Sequence, residues 1–167
     1  MKRIIVIGCP GSGKSTFSRK LNSITNITLY HLDNIYWKAD KTTISKEEFR
    51  EKILEIMETE SWIIDGNYNS TIELRLQYCD TVVFLDYDTE VCLKGIEDRA
   101  GKVRTDMPWV ESENCPDSEF IQLIKTYKDK KKPEILELLK QYSNKEIYIF
   151  SNRDEAEKYV NNVKMNQ

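Results

Sequence analysis

The chain has 167 residues, 40% of them hydrophobic and 32% charged, with a net charge of −3. That is one domain's worth of chain with a sizeable core, and an acidic balance that argues against a dedicated nucleic-acid binder, whose phosphate contacts require a basic face. No apolar run nears the ~18 residues of a membrane span, and four cysteines without a C-x-x-C pair, beside a single histidine, speak against a zinc site and for reduced thiols in the cytoplasm.

The first predicted strand, Arg3 to Ile7, runs directly into Gly8-Cys9-Pro10-Gly11-Ser12-Gly13-Lys14-Ser15, so no signal or transit peptide is expected. The spacing is G-x-x-x-x-G-K-S. With a strand before it and an amphipathic helix predicted over Lys14 to Asn22 behind it, this is a phosphate-binding loop. Backbone N–H groups must come close to crowded anionic oxygens, which calls for glycines. The start of the helix adds partial positive charge. Gly8, Pro10, Gly11, Ser12, Gly13, Lys14, Ser15 and Thr16 are therefore the expected nucleotide-binding stretch. Lys14 serves the β- and γ-phosphates, and the Ser15 hydroxyl is placed to ligate Mg²⁺. Cys9 lies inside the loop, which works through its backbone, so its thiol is expected to have no part in the chemistry.

Further strands are predicted at Thr28 to His31, Ser61 to Asp65, Thr81 to Asp86 and Glu146 to Phe150. Helices fall between them. One opens at the capping box Ser45-Lys46-Glu47-Glu48 and carries Phe49, Ile53, Ile56 and Met57 on one face. Others are predicted at Thr71 to Tyr78, Glu90 to Arg99, Ser118 to Tyr127, Pro133 to Tyr142 and Asp154 to Val163. The run Lys128 to Lys132 between two of these stretches reads as a solvated helix face or turn. Residues 100–116, with two prolines and few aliphatics, read as a mobile loop. Strands alternating with helices give a single α/β domain with a parallel sheet covered on both faces.

Ligands of such sheets bind beyond the carboxyl ends of the strands, and three predicted strands end at or near an aspartate. Asp65, in Trp62-Ile63-Ile64-Asp65-Gly66, is the expected metal-side acid, with Asp86 as the alternative. Asp33 is placed to hold an acceptor hydroxyl or act as general base, whereas His31 reads as a strand-end residue. Tyr36, Trp37, Asn67 and Tyr68 stand on the same acceptor side. Arginines must match the charge that spreads over a moving phosphoryl group. Arg99 and Arg104 lie in or beside the mobile segment, where a closing lid belongs; Arg75 is placed to reach the acceptor side, and Arg153 to border the base of the nucleotide.

GCPGSGKS, YHLDNIYW, WIIDGNY and TVVFLD together resemble the bacterial proteins labelled DNA topology modulation proteins, small P-loop proteins related to adenylate kinase and nucleoside kinases. Arg104-Thr105-Asp106-Met107 and Cys115-Pro116 are similar to that group's lid region. The resemblance implies a three-layer P-loop NTPase fold of adenylate-kinase-like type, with strand order 2-3-1-4-5. That order sets strand three beside strand one and favours Asp65 over Asp86 near Mg²⁺. It also implies an ATP- and Mg²⁺-dependent transfer to a small acceptor such as a nucleoside or nucleotide. IIDGNY is similar to the D-G-F-P-R stretch of adenylate kinases, but Asn67 and Tyr68 stand where Phe and Pro would, and no Arg follows. The group's label is not an activity, and the acidic chain gives no reason for it to grip DNA. Two alternatives stand beside the kinase: a slow NTPase with water as acceptor, and a nucleotide-gated regulatory protein. No N-K-x-D guanine signature is present, which makes ATP the default nucleotide.

Overall fold

The computed structural model of the chain describes residues 1–102, 104–109 and 118–165. Five parallel strands form one sheet: β1 (Arg3–Gly8), β2 (Leu29–His31), β3 (Trp62–Asp65), β4 (Thr81–Leu85) and β5 (Glu146–Phe150), in the order β2-β3-β1-β4-β5. The three central strands are buried on both faces, which is why their sequences are near-continuous apolar runs. At the edge, β5 is half covered and leaves Ile149 exposed. The chain leaves β1 toward β2 on one side and leaves β4 toward β5 on the other. A crevice therefore opens beyond the carboxyl ends of the central strands.

Helices α1 (Lys14–Thr25), α2 (Leu32–Tyr36), α3 (Lys46–Met57), α4 (Asn69–Tyr78), α5 (Thr89–Glu97), α6 (Ser118–Gln141) and α7 (Arg153–Met165) surround the sheet. The predicted cap of α3 is present: Ser45 Oγ accepts the Glu48 N–H at 3.0 Å, and Phe49, Ile53 and Met57 are buried. Helix α2 was not foreseen, since five residues are too few to show a period.

The largest departure is α6. The two stretches predicted on either side of the lysine run are one helix of 24 residues that contains Pro133. A proline inside a helix forgoes a hydrogen bond and normally breaks it. Here Ile124, Tyr127, Ile135 and Leu139 form one buried stripe across the proline, and packing overrides the local cost. The lysines between them are a solvated face with two anchors. Lys132 Nζ lies 2.6 Å from Asp86 Oδ2, and Lys128 Nζ 3.3 Å from Asp88 Oδ1. Asp86 is thereby an ion-pair partner of α6, and it is absent from the lining of the cavity that holds Asp65.

Candidate active site

The segment after β1 wraps the start of α1. Ser12 N–H donates to the Cys9 carbonyl at 3.1 Å, and Gly13, at φ 92°, is the helix N-cap with no side-chain cap bond. The first-turn N–H groups of α1 thus have no side-chain acceptor, and a helix start in this condition favours an anion. Lys14 folds back over the loop and donates from Nζ to Gly8 O at 3.0 Å and Cys9 O at 3.2 Å. Burial pulls its ammonium below the ordinary lysine value, against the opposing charges of Asp65 and Asp33. A phosphate arriving beside it would favour the charged form.

The loop is held from behind by backbone-to-backbone packing. A Cβ at Gly95 of α5 would stand 2.1 Å from Gly11 O, and one at Gly11 would stand 2.0 Å from Cys92 O. Only glycine fits at either position. Cys9 and Cys92 are buried at this contact. The hydrogen bond between them, then burial, pushes the Cys9 thiol far above its ordinary value, which makes it an inert group.

A cavity of about 720 Å³ opens in front of the loop, well within the range of small-molecule sites. Of the residues singled out from sequence, Pro10, Gly11, Gly13, Lys14, Ser15 and Thr16 line its loop wall. Asp33, Asp65, Asn67 and Tyr68 form a second part of its lining, together with Arg99, Arg104 and Arg153. Gly8 and Ser12 lie behind this lining, in the frame of the loop.

The acids are placed by strand register. His31 and Asp65 are paired across β2 and β3, and His31 Nδ1 lies 2.9 Å from Asp65 Oδ2, which fixes that carboxylate at the strand end. Asp33, in the first turn of α2, accepts the Tyr68 hydroxyl at 2.6 Å on Oδ1. Burial raises the Asp33 carboxyl above its ordinary value, and the Tyr68 bond and the Lys14 charge offset only part of this. Tyr68 holds the left-handed conformation at φ 39°, unusual for an aromatic residue.

Several side chains serve the frame. The Asn67 amide spans the Gly8 backbone, accepting its N–H at 3.1 Å and donating to its carbonyl at 2.8 Å. Arg75 does not reach the acceptor side. It is 0% exposed, and its guanidinium donates to the carbonyls of Gly66 (3.0 Å), Thr71 (3.4 Å), Tyr68 (3.5 Å) and Asn67. Burial lowers its pKa to about 10. The arginine fastens the turn that presents Asn67 and Tyr68. Tyr36 and Trp37 stand behind the cavity wall, with Tyr36 packed edge-on against Phe49 and Tyr68 and Trp37 against Trp109.

The described part of the predicted lid docks onto this assembly. Asn34 Nδ2 donates to Thr105 O at 2.8 Å, and Arg19 Nη1 to Thr105 Oγ1 at 3.4 Å. Arg104 pairs with Asp106, through Nε at 3.2 Å and Nη2 at 2.5 Å. Residues 110–116, including Cys115-Pro116, lie outside the described residues. Gly95, Arg19, Asp98, Lys102 and Phe120 line the cavity and were missed by sequence reasoning, while Asp106 appeared there only as part of the lid stretch. A glycine inside a helical pattern was a readable sign of close packing. For Arg19, Asp98 and Phe120 no local signal exists.

Among the described residues, no three His, Cys, Asp or Glu side chains converge into a metal cage of their own. The donors present are hard oxygens, the Ser15 hydroxyl and the Asp65 carboxylate, on a loop shaped for phosphates. That set suits Mg²⁺, which draws its other ligands from phosphates and water.

Fold and site together define a P-loop protein of the adenylate-kinase-like fold class. Solved structures agree. The chain is similar to shikimate kinase from Bacteroides thetaiotaomicron, with TM-score 0.61 and 20% identity over 98% of this chain and 96% of that one. It is similar to shikimate kinase from Acinetobacter baumannii in complex with shikimate (TM-score 0.64, 16% identity, 100% and 95% coverage). The enzyme from Aquifex aeolicus gives TM-score 0.54 at 21% identity, with 98% and 94% coverage. No protein-family model and no curated protein matches the chain.

Proposed function

We propose that the chain is an ATP-dependent phosphotransferase that moves the γ-phosphoryl group of Mg-ATP to a small hydroxyl- or phosphate-bearing acceptor. The observation that carries this reading is the placement of Asp33. A half-buried carboxylate, braced by Tyr68, lines the same cavity as the phosphate loop. Plain hydrolysis needs no such anchored acid on a separate wall. The three solved neighbours named above, shikimate kinases, support the same reading.

In this reading the uncapped start of α1 and Lys14 grip the β- and γ-phosphates, and Ser15 and Asp65 hold Mg²⁺. The metal ion, when bound there, would neutralise the charge that develops on the phosphates. Asp33 accepts the hydrogen bond of the acceptor hydroxyl and takes its proton as transfer proceeds; its raised pKa makes it a better base than an exposed carboxylate. Tyr68 fixes the orientation of Asp33. Arg99 and Arg104 meet the charge on the phosphoryl group, and Arg153 borders the nucleotide base. The chain works as one domain, with residues 100–116 as its lid. The motifs HLDNIYW and IIDGNY support kinship with the DNA topology modulation group, without a role on DNA. No helix among the described residues is long and apolar enough to cross a membrane; with the cysteine pattern, this supports a cytoplasmic protein.

The test is a screen of nucleosides, nucleotides and small polyols for ADP release above the acceptor-free rate. At least one class is expected to raise turnover many-fold. A rate that no acceptor changes would replace the kinase by an NTPase.

A further inference from the structure

On the kinase reading above, we propose that Asn67 is a positioning residue: its amide ties the turn after β3 to the first residue of the phosphate loop and so fixes the spacing between Asp33 and the phosphates. The tie begins where the sheet ends. β3 runs beside β1 as far as Asp65, opposite Val6, and the Gly66 N–H donates to Val6 O at 3.1 Å. Alternate residues of a strand turn their backbone groups to the same neighbour, so Gly8 faces β3 as Val6 does. The backbone of β3 does not reach it, because the chain swings away at Gly66, where φ is 130°, a conformation that favours glycine. Gly8 is buried, and its N–H and carbonyl would be left without partners on that side, which is costly. The Asn67 side chain takes the place of the missing strand. Its Oδ1 accepts the Gly8 N–H at 3.1 Å, and its Nδ2 donates to the Gly8 carbonyl at 2.8 Å.

The carbonyls that leave the sheet with this turn are also accounted for. Those of Gly66, Asn67 and Tyr68 accept from the guanidinium of Arg75, which is fully buried. The Thr71 N–H donates to Tyr68 O at 2.9 Å. The turn thus has a grip at each end: Asn67 on the loop, and Tyr68, whose hydroxyl donates to Asp33 Oδ1 at 2.6 Å. Gly8, Asn67, Tyr68 and Asp33 form one continuous set of contacts from the phosphate loop to the acceptor-side acid. Transfer needs the attacking oxygen and the phosphorus at a set separation, and a misplacement of about 1 Å can cost ~10²-fold in rate. Asn67 is the link that carries this spacing from loop to acid. The Gly8 carbonyl also receives Lys14 Nζ at 3.0 Å. When Lys14 turns to a phosphate, the Asn67 bond stays, and the loop keeps its register with the acid while it grips nucleotide.

The experiment compares wild type with Asn67→Ala and Asn67→Asp by hydrogen exchange, calorimetry and kinetics. Asn67→Ala should raise the amide exchange rate of Gly8 about 10-fold or more, with a rise also at Thr71, whose N–H reports the Tyr68 turn. Ile63, bonded to Thr28 at the other end of β3, should stay within about twofold. The Kd of a non-hydrolysable ATP analogue in Mg²⁺ should stay within about threefold of wild type. With the acceptor that the screen identifies, kcat should fall about 10-fold to 10²-fold while the acceptor KM stays within about threefold. Asn67→Asp keeps an acceptor for the Gly8 N–H and loses the donor, so Gly8 should stay protected and the kcat loss should be smaller; this variant decides the kinetic question if Asn67→Ala does not fold. An unchanged Gly8 rate in Asn67→Ala overturns the proposal, and so does a faster Gly8 beside an unchanged Thr71, since the tie would then stop at the loop. A raised KM at wild-type kcat makes Asn67 an acceptor contact instead, and a Kd weakened about tenfold or more makes it part of the nucleotide grip; either result sinks the positioning role. The exchange rates need no acceptor, so a screen without an active acceptor removes the kinase reading while Gly8 and Thr71 still decide the tie.

Discussion

The two walls of the cavity are built by different means. The phosphate wall is local. Contiguous residues from Gly8 to Thr16 make it, and its shape rests on backbone conformation and an uncapped helix start. The acceptor and lid wall is assembled over distance. Tyr68 and Asp33 are 35 residues apart, Asn67 and Gly8 59, Arg19 and Thr105 86. A local loop tolerates loss of one side chain, because its frame survives. A wall of part-buried, long-range pairs is less tolerant, because each change strands a partner. On the proposed kinase reading, nucleotide grip belongs to the first wall and acceptor chemistry to the second.

The sharpest break between them is expected at Asp33. Asp33→Asn keeps the size and can still accept the Tyr68 hydroxyl, but removes the base. Acceptor-dependent ADP release should fall by roughly 10²–10⁴-fold, while ATP affinity stays near wild type. Equal loss of acceptor-dependent and background hydrolysis would move Asp33 to the phosphate wall. The same variant should be more stable than wild type at pH 7. The folded-state pKa of Asp33 is raised by burial, so its carboxylate form disfavours folding above that pKa and its neutral form does not below the ordinary range near 4. The Tm gain of Asp33→Asn should therefore shrink as pH is lowered toward 4. A Tm difference independent of pH contradicts the assignment.

Arg104→Ala should lower kcat by as much as ~10³-fold with little change in the Kd of ATP alone, and Arg99→Ala should do so to a lesser degree. Single-turnover rates that match wild type in both variants would end the lid's catalytic part. On the phosphate wall the effect is smaller and appears in binding. Lys14→Ala should weaken Mg-ATP by about tenfold or more, from the ~1.5–3 kcal/mol of hydrogen bonds to charged groups. Calorimetry with an unchanged Kd would contradict this.

Gly95→Ala sharpens the comparison from the structural side. Its Cβ would meet Gly11 O at 2.1 Å, so the loop or α5 must shift. A loss of about 1–3 kcal/mol in urea unfolding is expected, with weakened ATP binding. Ser45→Ala, far from both walls, should cost about 1 kcal/mol and leave ATP affinity alone.

Sequence carried the phosphate wall and the sheet because both rest on short-range rules. The loop announces itself by glycine, lysine and serine at fixed spacing. The strand order 2-3-1-4-5 came with the resemblance that the loop and the strand-end acids carried, and the sheet has that order. The cap at Ser45 and the apolar face of α3 were equally local. What only the tertiary structure decided was where long side chains go. Arg75 and Arg104 look alike in sequence, yet the first is sealed under a turn and the second pairs with Asp106 at the cavity. Asn67 turned to the loop, Asp86 to Lys132, and α6 ran through Pro133. Asn67, Asp86 and α6 were set by partners remote in the chain. Arg75 and Arg104 pair with residues nine positions away or fewer that the turns of the fold bring round, and neither kind of partner is readable from local preference.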